Sequence, residues 1–196
     1  MKEKYDALLN MDGNGVMGYI EIPSISCSIP LYHTTEERVL QKAVGHIQWT
    51  SLPIGGESTH SVLSGHRGLP SARLFTDMDK IIEGDIFYLY ILNEVLTYQV
   101  DQILIVEPRD TEDLLIVPEE DFCTLVTCTP YGINTHRLLV RGKRVETDEK
   151  AVVTVTSEAV QIEPIIVAPI ISIPMLFLLL VLLYLPKPKR VQYRGD

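Results

Sequence analysis

The sequence predicts a mainly β fold, a closed or nearly closed barrel of eight strands carrying short helices, followed by one C-terminal transmembrane helix. Three observations predict it. Between Gly15 and Val145, eight short segments rich in β-branched and aromatic residues alternate with turn signals. Only two stretches in that region carry helical spacing. Beyond it, residues 165–185 (IIVAPIISIPMLFLLLVLLYL) hold no charged residue, and about 20 apolar residues span a hydrocarbon core of roughly 30 Å.

In chain order, the polar stretch 1–15 (MKEKYDALLNMDGNG) lacks the apolar core of a secretory signal and reads as an N-terminal arm. GYIEIP and SCSIPLYH follow as the first two strands. TEERVLQKAVGHI reads as a helix, with Thr34 and Glu37 spaced for a capping box. HSVLSGH is a third strand, and ARLFTDMDK a second, shorter helical piece. DIFYLYILN and VLTYQVDQILIVEP are two strands joined by a hairpin turn at Asn93 and Glu94. DLLIVP, DFCTLVTC and HRLLVRGKRV complete the eight, giving a barrel domain over residues 16–147. A stalk over 148–164, the membrane helix over 165–185 and a basic tail over 186–196 finish the chain.

Pro169 and Pro174 favour the membrane reading of 165–185, since proline is better tolerated in membrane helices than in buried soluble ones. Lys187, Lys189, Arg190 and Arg194 follow the apolar run directly, and basic flanks stay in the cytoplasm. The barrel is therefore expected on the extracellular face of a cell membrane. The full chain carries a net charge of −9, acidic in the barrel and basic only in the tail, which argues against a nucleic-acid partner.

Chemistry concentrates in two runs. TLVTCTPYGINTHRLLVRG (124–142) puts Cys128 at the end of one apolar strand and Arg137 at the start of the next. SVLSGHRG places His66 just past a third. A thiol, an imidazole and a fixed guanidinium suffice for acyl transfer through a thioester: nucleophile, proton carrier and oxyanion donor. Each also has a plainer reading. A strand-end cysteine is usually core, His66 fits an ordinary turn, and Arg137 shares its strand with Arg141, Lys143 and Arg144, as on a solvated charged face. Cys27 and Cys123 read as small buried residues, and the odd cysteine count without C-x-x-C spacing argues against a disulfide framework or zinc. Cys123 and Cys128 lie an odd number of residues apart, so on one continuous strand they point to opposite faces. His33, His46, His60 and His136 read as structural or exposed.

The same two runs strongly resemble the sortases, cysteine transpeptidases of Gram-positive cell surfaces, over roughly Val16 to Val145. The phrase after the cysteine, with a membrane helix behind the barrel, looks most like class C, the pilin polymerases. The resemblance implies an eight-stranded sortase-type β-barrel, with Cys128, His66 and Arg137 as the catalytic cysteine, histidine and arginine. It implies no cofactor and no metal. Its implied partners are pilin or surface-protein sorting signals of the Leu-Pro-x-Thr-Gly kind and an amine acceptor, either a pilin lysine or a cell-wall precursor. Class C members usually carry a membrane segment and a lid with an Asp-Pro-aromatic motif ahead of the barrel. No Asp-Pro pair precedes Gly15, so the expectation is a late start or truncated reading frame without lid control. A housekeeping sortase and an inactive tethered binding module are the alternative readings.

Overall fold

A computed structural model describes residues 2–10, 13–68 and 74–147 of the chain. Its strands are β1 (Val16–Ile22), β2 (Cys27–His33), β3 (Val44–His46), β4 (Thr59–Ser64), β5 (Ile86–Ile91), β6 (Glu94–Val106), β7 (Asp121–Thr129) and β8 (His136–Val145). They close into a barrel in the order β1-β2-β3-β4-β7-β8-β6-β5. Most neighbours are antiparallel, but β2 with β3 and β4 with β7 run parallel. The two-residue pleat sorts side chains between the barrel interior and its outer face. Ile20, Leu31, Leu63, Phe87, Leu89, Tyr98, Leu125 and Val140 fill the interior, with the Phe87 and Tyr98 rings stacked 5.5 Å apart. A smaller apolar cluster of Val62, Val126 and Leu139 belongs to β4, β7 and β8, with Ile47, Leu104, Val106 and Leu114 packed against it. Val62, Val126 and Leu139 sit one residue out of phase with the interior Leu63, Leu125 and Val140, so this cluster covers the outer face.

The expected strand number holds, yet two of the expected elements are wrong and offset each other. DLLIVP is not a strand: Glu112–Leu114 form a 3-10 turn, and Leu115, Ile116 and Val117 lie exposed beyond it. Pro108 and Pro118 bracket this segment, and the barrel closes without it. Conversely, the helix expected over TEERVLQKAVGHI shrinks to one turn, α2 (Glu37–Leu40), and its last residues become β3. Val44 and His46 are fully buried in the sheet, so tertiary pairing overrides helical spacing there. The capping box does not form, because Glu36 is the N-cap, makes no side-chain cap bond, and Thr34 sits at φ 64°. In the second helical piece only Met78–Lys80 forms a 3-10 turn. The hairpin turn falls on Leu92 and Asn93, one residue earlier than expected, and Glu94 already belongs to β6.

The N-terminal arm folds onto the barrel through a short helix, α1 (Lys2–Ala7). Its Tyr5 ring stacks on His46, and the hydroxyl bonds His46 Nδ1 at 2.8 Å. His33 bridges the arm, with Nε2 2.6 Å from the Leu8 carbonyl and Nδ1 3.0 Å from that of Gly15. Among the described residues no helix is long and apolar enough to cross a membrane. The expected stalk, membrane helix and basic tail lie outside the described residues.

Candidate active site

Register places the site. β7 and β8 pair so that Cys128 stands directly opposite Arg137, and directly opposed residues project to the same face. β4 runs parallel to β7 with Ser64 level with Val126. His66 lies two residues past Ser64, as Cys128 lies two past Val126. The pairing continues between these points: the Gly65 N–H donates to the Val126 carbonyl at 3.1 Å, and the Thr127 hydroxyl donates to the Gly65 carbonyl at 2.8 Å. Val126 and Leu139 stand two residues from Cys128 and Arg137, so those two project from the outer face beside the apolar cluster, and His66 lies on the turn that leaves the neighbouring β4.

The turn carrying His66 is held from below. Gly65 packs so closely on the buried Phe75 ring that a Cβ there would lie 2.6 Å from a ring carbon. The His66 carbonyl accepts from the Phe75 N–H at 3.1 Å. Arg67, nearly buried, pairs with Asp79 at 2.8 Å and donates from Nε to the Thr76 carbonyl at 3.1 Å. Its guanidinium also lies 5.8 Å from the centre of the Tyr131 ring, on the β7–β8 connection. Gly68, at φ 78°, packs against the same ring, where a Cβ would sit 2.4 Å away. The histidine turn and the loop between the cysteine and arginine strands are thus clamped together. His66 itself keeps about a third of its side chain exposed and places Nε2 3.4 Å from Glu37 Oε2. The sequence reading gave Glu37 only a capping-box role and assigned none to Arg67, Phe75, Asp79 or Tyr131. Arg67 stood inside the quoted SGHRG run, but nothing in the sequence pairs it with Asp79.

Burial separates the three cysteines. Cys27 and Cys123 are buried, and desolvation pushes the Cys27 thiol up to about 12 and that of Cys123 well above the usual range. Cys128 is partly exposed on the outer face. Burial also pushes His46 and His60 below the ordinary imidazole range, although each has a backbone carbonyl partner acting in the opposite direction. His60 sits between the Leu115 carbonyl (2.9 Å from Nδ1) and the Thr124 hydroxyl (2.7 Å from Nε2), a structural role, as the sequence anticipated. His33 is buried as well, and His136 is exposed.

The cationic side chains of β8 differ in their partners. Arg141 is neutralised by Asp101 through two bonds of 3.0 and 2.7 Å, and Lys143 by Glu120 at 2.7 Å. Among the described residues no carboxylate pairs with Arg137. Its guanidinium donates only to the backbone carbonyls of Asn134 (3.4 Å) and His136 (3.1 Å). Arg137 thus holds a guanidinium without a carboxylate partner directly opposite the partly exposed Cys128. Among the described residues no group of three or more histidine, cysteine or acidic side chains is arranged to hold a metal ion.

The sequence matches the sortase domain family over residues 20–145. Among solved structures, sortase C1 of Streptococcus agalactiae is similar at 60% identity with a TM-score of 0.74, covering 75% of this chain and 76% of that one. Streptococcus pneumoniae sortase C, described for its catalysis and pilin substrate specificity, is 57% identical with a TM-score of 0.68 over 68% of this chain and 70% of its own. Sortase D of Bacillus subtilis (strain 168) is 31% identical over 131 residues, which is 65% of this chain. The chain spans 63% of the length of that curated relative. Because the matched span runs from the first barrel strand to the last, the likeness is one of the whole fold and not of a single motif, and this chain belongs to the sortase family.

Proposed function

We propose that this protein is a membrane-anchored cysteine transpeptidase of the pilin-polymerising kind. Cys128 attacks the Thr-Gly carbonyl of a Leu-Pro-x-Thr-Gly-like sorting signal, and the acyl group passes to a lysine amine of another pilin subunit. The observation that carries the reading is Cys128 standing opposite Arg137 in the β7–β8 register, with the His66 turn leaving β4, the parallel neighbour of β7. Likeness to sortases C at 57% and 60% identity supports the class, and pilin specificity enters through the pneumococcal relative. The partly buried Leu104 and Val106, packed over the buried Val62, Val126 and Leu139, offer an apolar surface for the Leu-Pro part of the signal.

The chemistry divides into two half-reactions. In the first, the Cys128 thiolate adds to the scissile carbonyl, and the oxyanion is met by the planar donor fork of the Arg137 guanidinium. The C–N bond then breaks as His66, in its imidazolium form, gives a proton to the departing glycine amine. A thioester and a neutral imidazole remain. In the second, an incoming lysine amine attacks the thioester, His66 takes its proton, and the Cys128 thiolate leaves. The isopeptide bond has formed and the starting ionic forms are restored.

The expected anchor at 165–185, with its basic tail, would hold the barrel outside the cell membrane beside its substrates. The test is mass spectrometry of the full chain in detergent with a sorting-signal peptide and a lysine-containing acceptor. Isopeptide product together with a Cys128 acyl adduct is the expected result. Free threonine acid alone would make the protein a peptidase, transfer only to a cell-wall precursor amine would make it a housekeeping enzyme, and no adduct would leave a binding module.

A further inference from the structure

One contact in the site links residues far apart in sequence and is not used by the mechanism above. Glu37 opens α2, and its Oε2 lies 3.4 Å from His66 Nε2. Its other oxygen, Oε1, accepts from the Gln41 amide at 3.2 Å one turn later. The carboxylate is therefore held at both ends. The pairing follows from how the barrel is built. α2 is seated by buried Val39 and Ala43, leads directly into β3, and β3 pairs with β4 through Gly45–Ser64 and His46–Leu63. β4 ends at the His66 turn. Glu37 and His66 are thus carried by two adjacent elements whose relative placement the sheet fixes.

We propose that Glu37 is a positioning residue for His66: it binds Nε2, so that Nδ1 is the nitrogen left to exchange protons with Cys128 and the substrate amine. The proposal rests on the transpeptidase reading above. The physical argument is one of orientation more than stability. Glu37 is two-thirds exposed, and a carboxylate–imidazolium pair so placed contributes about 0–1 kcal/mol to folding. An imidazole on a surface turn can, however, rotate about χ2 and present either nitrogen. A carboxylate on one nitrogen fixes which face of the ring works, as the aspartate does in serine-protease triads. The other charged groups near His66 act differently. Arg137 comes from β8, opposite Cys128, and Arg67 and Asp79 on the neighbouring turn already satisfy each other at 2.8 Å.

The experiment compares single-turnover acylation of the full chain in detergent with that of Glu37→Gln, Glu37→Asp and Glu36→Gln, using a sorting-signal peptide. Glu36→Gln removes the same charge one residue away, where the wild-type carboxylate pairs with Arg38 at 2.7 Å. Glu37→Gln is expected to lower the acylation rate constant about three- to tenfold at unchanged peptide affinity and unchanged melting temperature, with Glu37→Asp intermediate and Glu36→Gln at the wild-type rate. Added salt should slow the wild type toward the Glu37→Gln rate and leave that variant nearly insensitive, since an exposed pair is screened. Nitrogen-15 NMR of the His66 ring should show a bonded Nε2–H in the wild type, lost in Glu37→Gln. Equal rates in wild type and Glu37→Gln, a loss confined to peptide affinity, or an equal loss in Glu36→Gln would each overturn the proposal while leaving the transpeptidase reading in place. A wild type that forms no acyl adduct would overturn both.

Discussion

At the scale of single residues, three cysteines of one chain differ in reactivity because of where the pleat puts them. Burial raises Cys27 to about 12 and Cys123 well above its usual range, so at pH 8 neither holds an appreciable thiolate fraction. Iodoacetamide is expected to label Cys128 alone in the native protein, as peptide mapping by mass spectrometry would show. Cys128→Ala should abolish the acyl adduct, while Cys27→Ala and Cys123→Ala keep it at a stability cost of about 1–2 kcal/mol. Arg137→Lys keeps the charge but loses the planar fork, and kcat/KM should fall on the order of 10²-fold. An unchanged value would return Arg137 to the solvated face. Buried histidines supply a separate prediction. Burial depresses His46 and His60, so the folded state stays neutral where the unfolded chain takes up protons, below about pH 6.5. Their contribution is therefore complete above that pH and is lost as the pH falls, by up to about 1.4 kcal/mol per pH unit for each group. Thermal melts should show Tm falling between pH 7 and 5.5, and His60→Asn, which can still donate to the Leu115 carbonyl, should flatten part of that slope. The candidate triad itself was legible in the sequence, because Cys128, His66 and Arg137 each sit in a distinctive run. Their partners were not, since Glu37 and Asp79 belong to segments whose distance from His66 only the sheet sets.

At the scale of elements, the site depends on a short turn gripped by its neighbours. Gly65 leaves no room for a side chain against Phe75, which is fully buried and has no space to swing aside. Gly65→Ala should thus lower stability by about 1–3 kcal/mol through overpacking. It should also cut kcat by more than that loss explains, since it shifts His66 against Cys128 and misplacement near 1 Å costs about a hundredfold. Stopped-flow acylation beside a urea melt separates the two effects, and a normal rate in the folded variant would mean the turn tolerates displacement. The expected strands β1, β2, β4, β5, β6, β7 and β8 form where composition and turn signals placed them. The failures are the segments where pattern and pairing disagree. DLLIVP has strand composition but no partner, and AVGHI has helical spacing but is claimed by β2 and β4.

At the scale of the whole molecule, the barrel closes through β1–β5 and carries two parallel pairs, so its topology rests on contacts far apart in sequence. Closure removes sheet edges, and the outer face of β7 and β8 carries Cys128 and Arg137 of the candidate site. The proposed anchor adds a prediction at this scale. On phase separation with a nonionic detergent the full chain should enter the detergent phase, whereas residues 1–164 should stay aqueous. In intact cells an external protease should reach the barrel but not a tag placed after Asp196. A full chain that stays aqueous would remove the anchor from the proposal.

The sequence by itself determined the fold class and the place of seven of the eight strands, and it singled out Cys128, His66 and Arg137 as candidates, because composition and local motifs are written within a few residues of one another. It also separated buried Cys123 from the outward Cys128, since an odd spacing on one strand admits no other arrangement. Only the tertiary structure decided which segments pair. Register and parallel crossing bring Ser64 level with Val126, set Cys128 against Arg137, and carry Glu37 from α2 to His66. Those choices depend on free-energy differences summed over the whole closed sheet, and no local window of the sequence contains that sum.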